Sequence, residues 1–512
     1  MATTDTKPVQ THLENVDTGT KEAHADPTQS TLKITRDSWW DNKKGIFICI
    51  LINMVNFEYG LDQGMVNGFQ AMGGFLQDFG YADPALPGGY GITTTMQQLI
   101  TSLVSAGMFV TTFAAGYVTS KIGRKGGIWV GFAFMILSVT LQIAVINEGA
   151  LYSGRLLLGF ANGFLVVSAQ LYMQEAMPSN LRSLSFTLYQ FWISFGGMLG
   201  VIINNETKNR LDRSSYRIPL GVLYIIPVVL SVILIWLPET PRYLASRGNY
   251  DEAAQSLRFL RDKTYSDLMM FQGLDLKRTL TALGIALYSA ANGVPFVIQY
   301  GVYFFLQSSP SSDPFQSGII VTSVGLVGVL VTPLFTGKIG KRPILMTGGI
   351  VQALCMLGIG LSYTVRGTDP LSGRVILAMA AIFLFTASAT TSPFSWQVTG
   401  EVPTQRLRSY TLGFSSAITF LCGWSITFTI PYFINPTALN WGAQYAYIWF
   451  AGNLLIAVFT FFVVPETNKR TLEEIDECYV NRVPIRKFPS YECVGTVGSR
   501  MEAVRNIKGE SN

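Results

Sequence analysis

The sequence predicts an all-α polytopic membrane protein, with twelve transmembrane helices in two pseudo-symmetric six-helix bundles. Three observations support this fold class. The chain of 512 residues is 49% hydrophobic and only 13% charged, with a mean hydropathy of +0.33, which is too apolar for a soluble protein of this length. Twelve apolar stretches are long enough to cross the hydrocarbon core. Three short motifs recur in the same order in both halves.

Each apolar stretch has roughly the 20 residues that an α-helix needs to cross a bilayer. Several of them carry Gly, Ser, Thr, Asn and Gln along one side, as expected of helices that pack closely or line a polar cavity. The predicted spans cover residues 45–69, 95–119, 126–146, 150–173, 185–204, 217–237, 279–305, 316–336, 343–364, 372–397, 410–433 and 444–464.

Lysine and arginine are concentrated in alternate loops, and this pattern orients the chain. The loops after spans two, four, eight and ten are basic, as is 238–278, whereas the loops at 70–94 and 147–149 have no Lys or Arg. Because cytoplasmic loops carry the positive charge, both termini and 238–278 are predicted to be cytoplasmic. The net charge of +5 therefore reflects topology, and no nucleic-acid partner is expected.

The exterior loop after span five is an exception, because it is basic. It also contains the sequon Asn205-Glu206-Thr207, so we predict a glycoprotein with Asn205 as the acceptor.

The repeated motifs divide the chain into two halves. "SKIGRK" recurs as "GKIGKR", "QEAMPSNLRS" as "GEVPTQRLRS", and "PETPRYL" as "PETNKRTLEEID". Two such halves are typical of a transporter whose bundles rock about a central site. The predicted domains are a disordered cytoplasmic tail (1–43), a six-helix bundle (44–237), a cytoplasmic linker (238–278), a second bundle (279–465) and a cytoplasmic tail (466–512).

The ordered motifs resemble those of a known family. "GYVTSKIGRK", "GRLLLG", "LYMQEAMPSNLR", "PETPRYL", "KIGKRP", "PFSWQVTGEVP" and "PETNKRTLEEIDE" are similar to the motifs of the sugar porter branch of the major facilitator superfamily, from about residue 45 to 480. The ending "TIPYFINPTALNWGA" is similar to that of fungal disaccharide and α-glucoside permeases.

The resemblance implies a cytoplasmic gate of charged residues that interlock across the two halves. Ser120 and Gly337 replace two family aspartates, so we expect a looser gate than in relatives. The alternative is that the charges are ordinary juxtamembrane residues. The gate residues that match the family are Arg124, Glu175, Arg182, Glu239, Glu401, Arg408 and Glu466.

The resemblance carries over only part of a sugar-binding cavity. Gln190 matches a glutamine that hydrogen-bonds sugar hydroxyls, and Trp396 matches a tryptophan that stacks on a pyranose. Other family amides are lost, and a site without them would bind a simple hexose poorly. The lost amides align with Ser289, Ala290, Pro295 and Gly423. Either Asn292, Gln299 and Tyr300 replace them, or these three side chains hold helices together.

Span one carries two acidic residues at bilayer depth, Glu58 and Asp62. A carboxylate there costs about 2.5–3.5 kcal/mol on insertion scales and usually marks a cavity or an ion path. The resemblance implies that Asp62 pairs with Arg155 of span four and carries a proton, because family members with this aspartate are commonly proton symporters. The carboxyl group would release its proton when the arginine is close and bind one when the pair separates.

Glu58 is not a family position. It lies one turn from Asp62 on the same helix face, and a neighbouring carboxylate favours its protonated form. We therefore expect a neutral carboxyl group that donates a hydrogen bond. The alternative is a polar wall residue with no coupling role.

The leading hypothesis is import of a sugar or sugar-like polyol across the plasma membrane by alternating access and proton symport. Two alternatives remain open. A carrier or exporter of a non-sugar polar metabolite, such as a fungal secondary metabolite or organic acid, is favoured by the lost amides. A non-transporting nutrient sensor is disfavoured by the short tail after "EEIDE".

An enzyme is not expected, because no span shows a nucleophile–base pair and both histidines, His12 and His24, lie in the N-terminal tail. The five cysteines have no CxxC spacing, so no metal site is expected either. We predict no cofactor, with the proton gradient as the driving force, and a monomer in the lipid bilayer.

Overall fold

The computed structural model of the protein describes residues 43–84, 89–144, 147–176, 182–240, 243–244, 247, 276–308, 313–403, 408–468, 470, 472–481, 483–491 and 493. Residues 1–42 of the tail that was predicted to be disordered, and most of the 238–278 linker, lie outside the described residues.

The first half contains spans one to six and a short exterior ribbon. Its helices are Lys43–Asn53 and Val55–Phe69 (span one), Gly73–Phe79, Thr94–Ala144 (spans two and three), Glu148–Ala176 (span four), Arg182–Thr207 (span five), and Ser214–Val222 with Ile225–Trp236 (span six). Strands Tyr81–Ala82 and Tyr90–Gly91 pair antiparallel.

The second half contains spans seven to twelve and a packed C-terminal segment. Its helices are Leu276–Ala290, Val294–Gln299 and Gly301–Ser308 (span seven), Pro314–Phe335 (span eight), Lys341–Arg366 (span nine), Pro370–Thr386, the π-helix Ala387–Thr391 and Ser392–Glu401 (span ten), Arg408–Ile434 (span eleven), Gly442–Tyr445 and Ala446–Val463 (span twelve), Leu472–Val480, and Ile485–Ser490.

These helices confirm the predicted fold class of twelve spans. In the described part of the chain, ten helices are long and apolar enough to cross a membrane. One of them, Thr94–Ala144, holds two spans that meet at Gly123, whose φ of 90° breaks the helix. Span one is not among the ten, and the structure describes it as two shorter helices, Lys43–Asn53 and Val55–Phe69. Large apolar side chains such as Trp236 and Leu455 are exposed, as expected of surfaces that face lipid.

Spans one and five approach each other through glycines, and this contact fixes the position of the acidic face of span one. A Cβ atom on Gly60 would lie 2.0 Å from the carbonyl oxygen of Ile193, and one on Gly64 would lie 2.3 Å from that of Gly197. Small residues four apart let helix backbones pack this closely in a membrane. Asp62 lies between the two glycines, so its helix is held tightly against span five.

Span seven is interrupted near mid-membrane. Gly293 adopts φ 91°, and Pro295 follows within the first turn of the next helical segment. The side-chain carbonyl of Asn292 accepts a hydrogen bond from the backbone N–H of Val294 at 2.9 Å, and its backbone carbonyl accepts one from Asn453 at 2.8 Å. The sequence predicted one continuous span, whereas discontinuous helices are characteristic of transporter binding sites.

Candidate functional site

A buried ion pair joins span one to span four. Nη1 and Nη2 of Arg155 lie 2.5 and 3.0 Å from the two carboxylate oxygens of Asp62. The Nε–H of Arg155 donates to the backbone carbonyl of Ile100 at 2.7 Å. Only 2% of Asp62 and 3% of Arg155 is exposed. The pairing that the resemblance implied is therefore present, in the bidentate geometry that best offsets burial of two charges.

A small cavity, which we call the coupling cavity, lies against this ion pair. Its volume is about 10 Å³, which is room for one water molecule. Asp62, Arg155, Gln63, Thr101 and Gln299 contribute polar atoms to its wall. Gln299 was predicted to bind substrate, but the structure places it beside the ion pair.

A second cavity, the central cavity, lies between the two halves. Its volume is about 40 Å³, and spans one, five, seven, eight and ten form its wall. The wall is largely apolar, with hydrogen-bonding side chains that suit hydroxyl groups of a substrate. These side chains are Gln63, Gln190, Ser194, Thr322, Ser388 and Ser392.

Gln63 contributes to the walls of both cavities, and the sequence analysis missed it. The signal was its position directly after Asp62 at bilayer depth. Because Gln63 borders both cavities, a substrate in the central cavity can change the surroundings of the Asp62–Arg155 ion pair through this side chain.

The other predicted substrate residues have different surroundings. Gln190 lines the central cavity, as expected. Trp396 is half-buried and lies one turn beyond Ser392. Asn292 and Tyr300 are fully buried, and both bind protein groups in this conformer. Their observed contacts match the helix-packing alternative, because Asn292 holds the break in span seven and Tyr300 donates to the backbone carbonyl of Thr427 at 2.7 Å.

Glu58 is completely buried, one turn from Asp62. Neither of its carboxyl oxygens has a hydrogen-bond partner in the part of the chain that the structure describes. The hydrogen bond that we expected Glu58 to donate is therefore not formed in this conformer.

The exterior ends of the two halves are joined by hydrogen bonds and an ion pair. Tyr300 is hydrogen-bonded to Thr101, which links span seven to span two. The remaining links are Asn435 to Gln97 at 3.0 Å, Thr437 to Thr94 at 3.4 Å, the N–H of Val302 to Asn67 at 2.7 Å, and the ion pair of Lys208 with Asp313. This conformer is thus closed on the side that the positive-inside pattern predicts to be exterior.

Lys208 and Asp313 form the charged part of this closure, which we call the exterior latch. Asp313 also accepts a hydrogen bond from the N–H of Phe315 at 3.0 Å and so caps span eight. Burial opposes ionisation of Asp313, but the hydrogen bonds from Lys208 and Phe315 outweigh it and lower the pKa of this carboxyl group. The stabilisation by the latch is therefore present above the ordinary aspartate value of 3.8 and is lost only as the pH falls through the lower pKa of the folded protein.

Removal of the latch should let the exterior side open more readily. We expect Lys208→Gln to increase labelling of a Ser105→Cys reporter by an impermeant thiol reagent about fivefold, since a partly exposed ion pair contributes about 1 kcal/mol. Ser105 lies in the wall of the coupling cavity. The control is Arg213→Gln, because Arg213 pairs with Asp78 of the same half. Equal labelling rates for the two variants would contradict the latch.

The first-half charges that are predicted to be cytoplasmic form one network. Arg124 lies 2.6 Å from Glu175, and the hydroxyl of Thr240 donates to the other oxygen of Glu175 at 2.5 Å. Glu239 accepts hydrogen bonds from the N–H groups of Arg124 and Lys125 at 3.2 and 3.0 Å. A Cβ on Gly123 would lie 2.2 Å from this carboxylate. Burial raises the pKa of Glu239, although these N–H groups oppose the shift.

The second half repeats the network. Lys341 lies 2.5 Å from Glu401. Glu466 accepts from the N–H groups of Lys341 and Arg342 at 2.9 and 3.1 Å, and a Cβ on Gly340 would lie 2.3 Å from it. Glu239 thus caps the start of span three, and Glu466 caps the start of span nine, where a helix favours negative charge. Lys341 takes the role of Arg124, as the repeat indicated.

In the described part of the chain, Glu239 and Glu466 accept hydrogen bonds from backbone N–H groups of their own halves. The predicted interlock of these charges across the two halves stays a prediction. The side chains of Arg182 and Arg408 lie outside the described residues, and their pairing across the halves stays a prediction.

The predicted glycosylation sequon lies in the last turn of span five. The side-chain carbonyl of Asn205 accepts from Lys208 at 2.9 Å, and the hydroxyl of Thr207 is buried and donates to the carbonyl of Ile203 at 3.0 Å. The sequence predicted an exposed loop, whereas here the acceptor is part of the helix. Glycosylation of Asn205 stays a prediction.

Two helical bundles with a cavity between them and a buried ion pair are typical of a membrane transporter, and comparison with known proteins gives its family. Residues 48–479 match the family model described as sugar (and other) transporter. The chain belongs to this family, and it is a transporter of the major facilitator superfamily rather than an enzyme.

Individual relatives agree with this assignment. The chain is similar to a major facilitator-type transporter of Aspergillus rugulosus, with 29% identity over 484 residues that cover 87% of this chain and 89% of the relative. It is also similar to a probable glucose transporter of Neurospora crassa, with 27% identity over 457 residues that cover 82% and 76%. A solved structure of the proton:xylose symporter XylE with bound 6-bromo-6-deoxy-D-glucose has a TM-score of 0.70 at 18% identity and covers 85% of this chain and 99% of that chain. At this identity the structural likeness shows the fold.

Proposed function

We propose that the protein is a proton-coupled symporter that carries a sugar or sugar-like polyol by alternating access. The observation that carries the proposal is the bidentate Asp62–Arg155 pair. It lies beside the coupling cavity, which shares the wall residue Gln63 with the central cavity. A titratable carboxylate is thus placed where it can respond to substrate.

The stability of the Asp62–Arg155 ion pair links the binding of a proton to the binding of the substrate. Both oxygens of the Asp62 carboxyl group are bound to the guanidinium of Arg155 in this conformer. A proton on Asp62 weakens the pair and frees the carboxyl group from span four. Movement of span one then changes the wall of the central cavity, since Gly60 and Gln63 of that span belong to it. Substrate and proton consequently favour the same rearrangement.

The side chains of the central cavity suit a polyhydroxylated substrate. The amides of Gln63 and Gln190 can both donate and accept hydrogen bonds, and the hydroxyls of Thr322, Ser388 and Ser392 add further partners. Apolar side chains such as Ile298 and Leu384 complete the wall and can cover the C–H faces of a sugar ring. The names of the Neurospora relative and of the xylose symporter also support a sugar.

The basic loops support cytoplasmic termini, and we propose the plasma membrane as the location. We also propose a monomer as the working unit, since both cavities lie within one chain. The proton gradient is the proposed driving force, with no cofactor.

Uptake by a transport-deficient yeast that expresses the protein tests this function. The cells are offered a panel of labelled hexoses, pentoses, disaccharides and polyols, with and without a protonophore. We expect accumulation of at least one of these compounds, and loss of accumulation with the protonophore. Uptake of none of them would overturn the sugar assignment and favour a non-sugar carrier. Uptake that the protonophore does not change would overturn proton coupling.

A further inference from the structure

Glu58 is the buried acidic group that the mechanism above does not use. It lies at bilayer depth with 0% exposure, and both carboxyl oxygens lack a hydrogen-bond partner in the described chain. An ionised carboxylate in such a place is strongly disfavoured, because neither water nor a donor compensates its charge. In this conformer Glu58 is therefore neutral and holds a proton.

The charged groups around Glu58 are few. Arg155 of span four and Asp62 of span one are the charges that act on it. Span five packs against span one, and Tyr189 is the titratable residue that the sequence of 183–205 contains. Residues 279–305 of span seven contain no Asp, Glu, Lys, Arg or His. Arg155 is thus the cation that an ionised Glu58 would bind.

If Asp62 were the single acidic partner of Arg155, the arginine would lose its counter-ion whenever Asp62 binds a proton. When Asp62 binds a proton, the guanidinium of Arg155 is left as a buried charge without a counter-ion, and such a charge is strongly destabilising. Glu58 lies one helical turn, about 6 Å along the axis, from Asp62 on the same face. A flexible arginine side chain can span that distance, so Glu58 is placed to be the second counter-ion.

We propose that Arg155 exchanges partners between Asp62 and Glu58 during transport, and that one proton moves in the opposite direction. In the present conformer Asp62 is a carboxylate bound to Arg155, and Glu58 is a carboxylic acid. In the exchanged state the proton has left Glu58 and is on Asp62, while the Glu58 carboxylate binds Arg155. The number of protons and charges is the same in both states, and Arg155 is paired throughout.

The proposal deepens the proposed coupling function and rests on it for its role in transport, but it can be tested without any substrate. Infrared spectroscopy of the purified protein in lipid nanodiscs at neutral pH detects the C=O stretch of protonated carboxylic acids separately from carboxylates. We expect Glu58→Gln to remove one such band from the wild-type spectrum. We also expect Asp62→Asn to remove it, because Glu58 then ionises and binds Arg155.

The control is Glu206→Gln, which changes an exposed glutamate at the end of span five and should leave the band unchanged. A band that persists in Glu58→Gln would show that Glu58 is not the protonated group. A band that persists in Asp62→Asn would show that Glu58 does not take over Arg155. Either result overturns the exchange. If Glu58→Gln does not fold, the Asp62→Asn spectrum still decides.

These outcomes are distinct from failure of the proposed function. If the cells take up no sugar, or if uptake does not depend on the proton gradient, the proposed function fails. The infrared bands of Glu58 would not change with that outcome. Conversely, a negative infrared result would leave intact a simpler coupling mechanism in which Asp62 is the single proton site.

Discussion

Asp62→Asn should abolish accumulation of the transported sugar while exchange down a concentration gradient continues. The asparagine side chain cannot bind and release a proton, so transport is no longer linked to the proton gradient. With one proton carried per sugar, the wild-type protein can accumulate substrate about tenfold for each pH unit across the membrane. In the variant the internal and external concentrations should become equal.

The measurement compares the steady-state ratio of internal to external labelled sugar in proteoliposomes at several imposed pH gradients. Counterflow without a gradient, in the same vesicles, shows that the variant is folded and exchanges substrate. Glu206→Gln is the matched control, since it removes an exposed carboxylate and should keep the wild-type slope. A variant at position 62 that still accumulates sugar in proportion to the gradient would remove Asp62 from the coupling role.

Gly64→Ala should destabilise the whole first half, even though only one methyl group is added. The new Cβ would lie 2.3 Å from the carbonyl oxygen of Gly197 and 3.1 Å from its carbonyl carbon, so spans one and five would have to move apart. Overpacking of this kind costs about 1–3 kcal/mol, and backbone atoms cannot turn away as a side chain can. We expect a clear fall in the melting temperature and in the yield of monodisperse protein.

Gly116→Ala is the control for this substitution. Gly116 is also helical, in span two, but nothing lies within 4 Å of a Cβ built on it. Because alanine is the better helix former by about 1 kcal/mol, this variant should be as stable as the wild type or more so. Equal melting temperatures for the Gly64 and Gly116 variants would show that the close approach of spans one and five is not needed.

The fold could be predicted from the sequence because the bilayer imposes a length on every span. The repeat also matched Glu239 with Glu466, and these two residues occupy equivalent places in the structure. The pairing of Asp62 with Arg155 could be predicted because the resemblance to the family linked two residues that are far apart in the chain. Local sequence patterns alone would not have predicted this ion pair.

Other parts of the site could not be predicted, for identifiable physical reasons. Side-chain identity does not tell whether a polar group faces a cavity or the backbone of a neighbour, and Asn292 and Tyr300 proved to do the latter. The capping role of Glu239 depends on Gly123, where the absence of a Cβ leaves room for a carboxylate. That relation between a glycine and a distant acid exists only in three dimensions.

The two carboxylate caps have a consequence for how variants of this protein should be interpreted. Glu239 and Glu466 bind backbone groups of their own bundles, so a rigid-body rotation of one bundle against the other leaves both sets of hydrogen bonds unbroken. Substitutions that remove these caps should therefore lower how well each bundle withstands heat. The Lys208–Asp313 pair connects the two moving bodies, so its loss should also shift the balance between the two orientations.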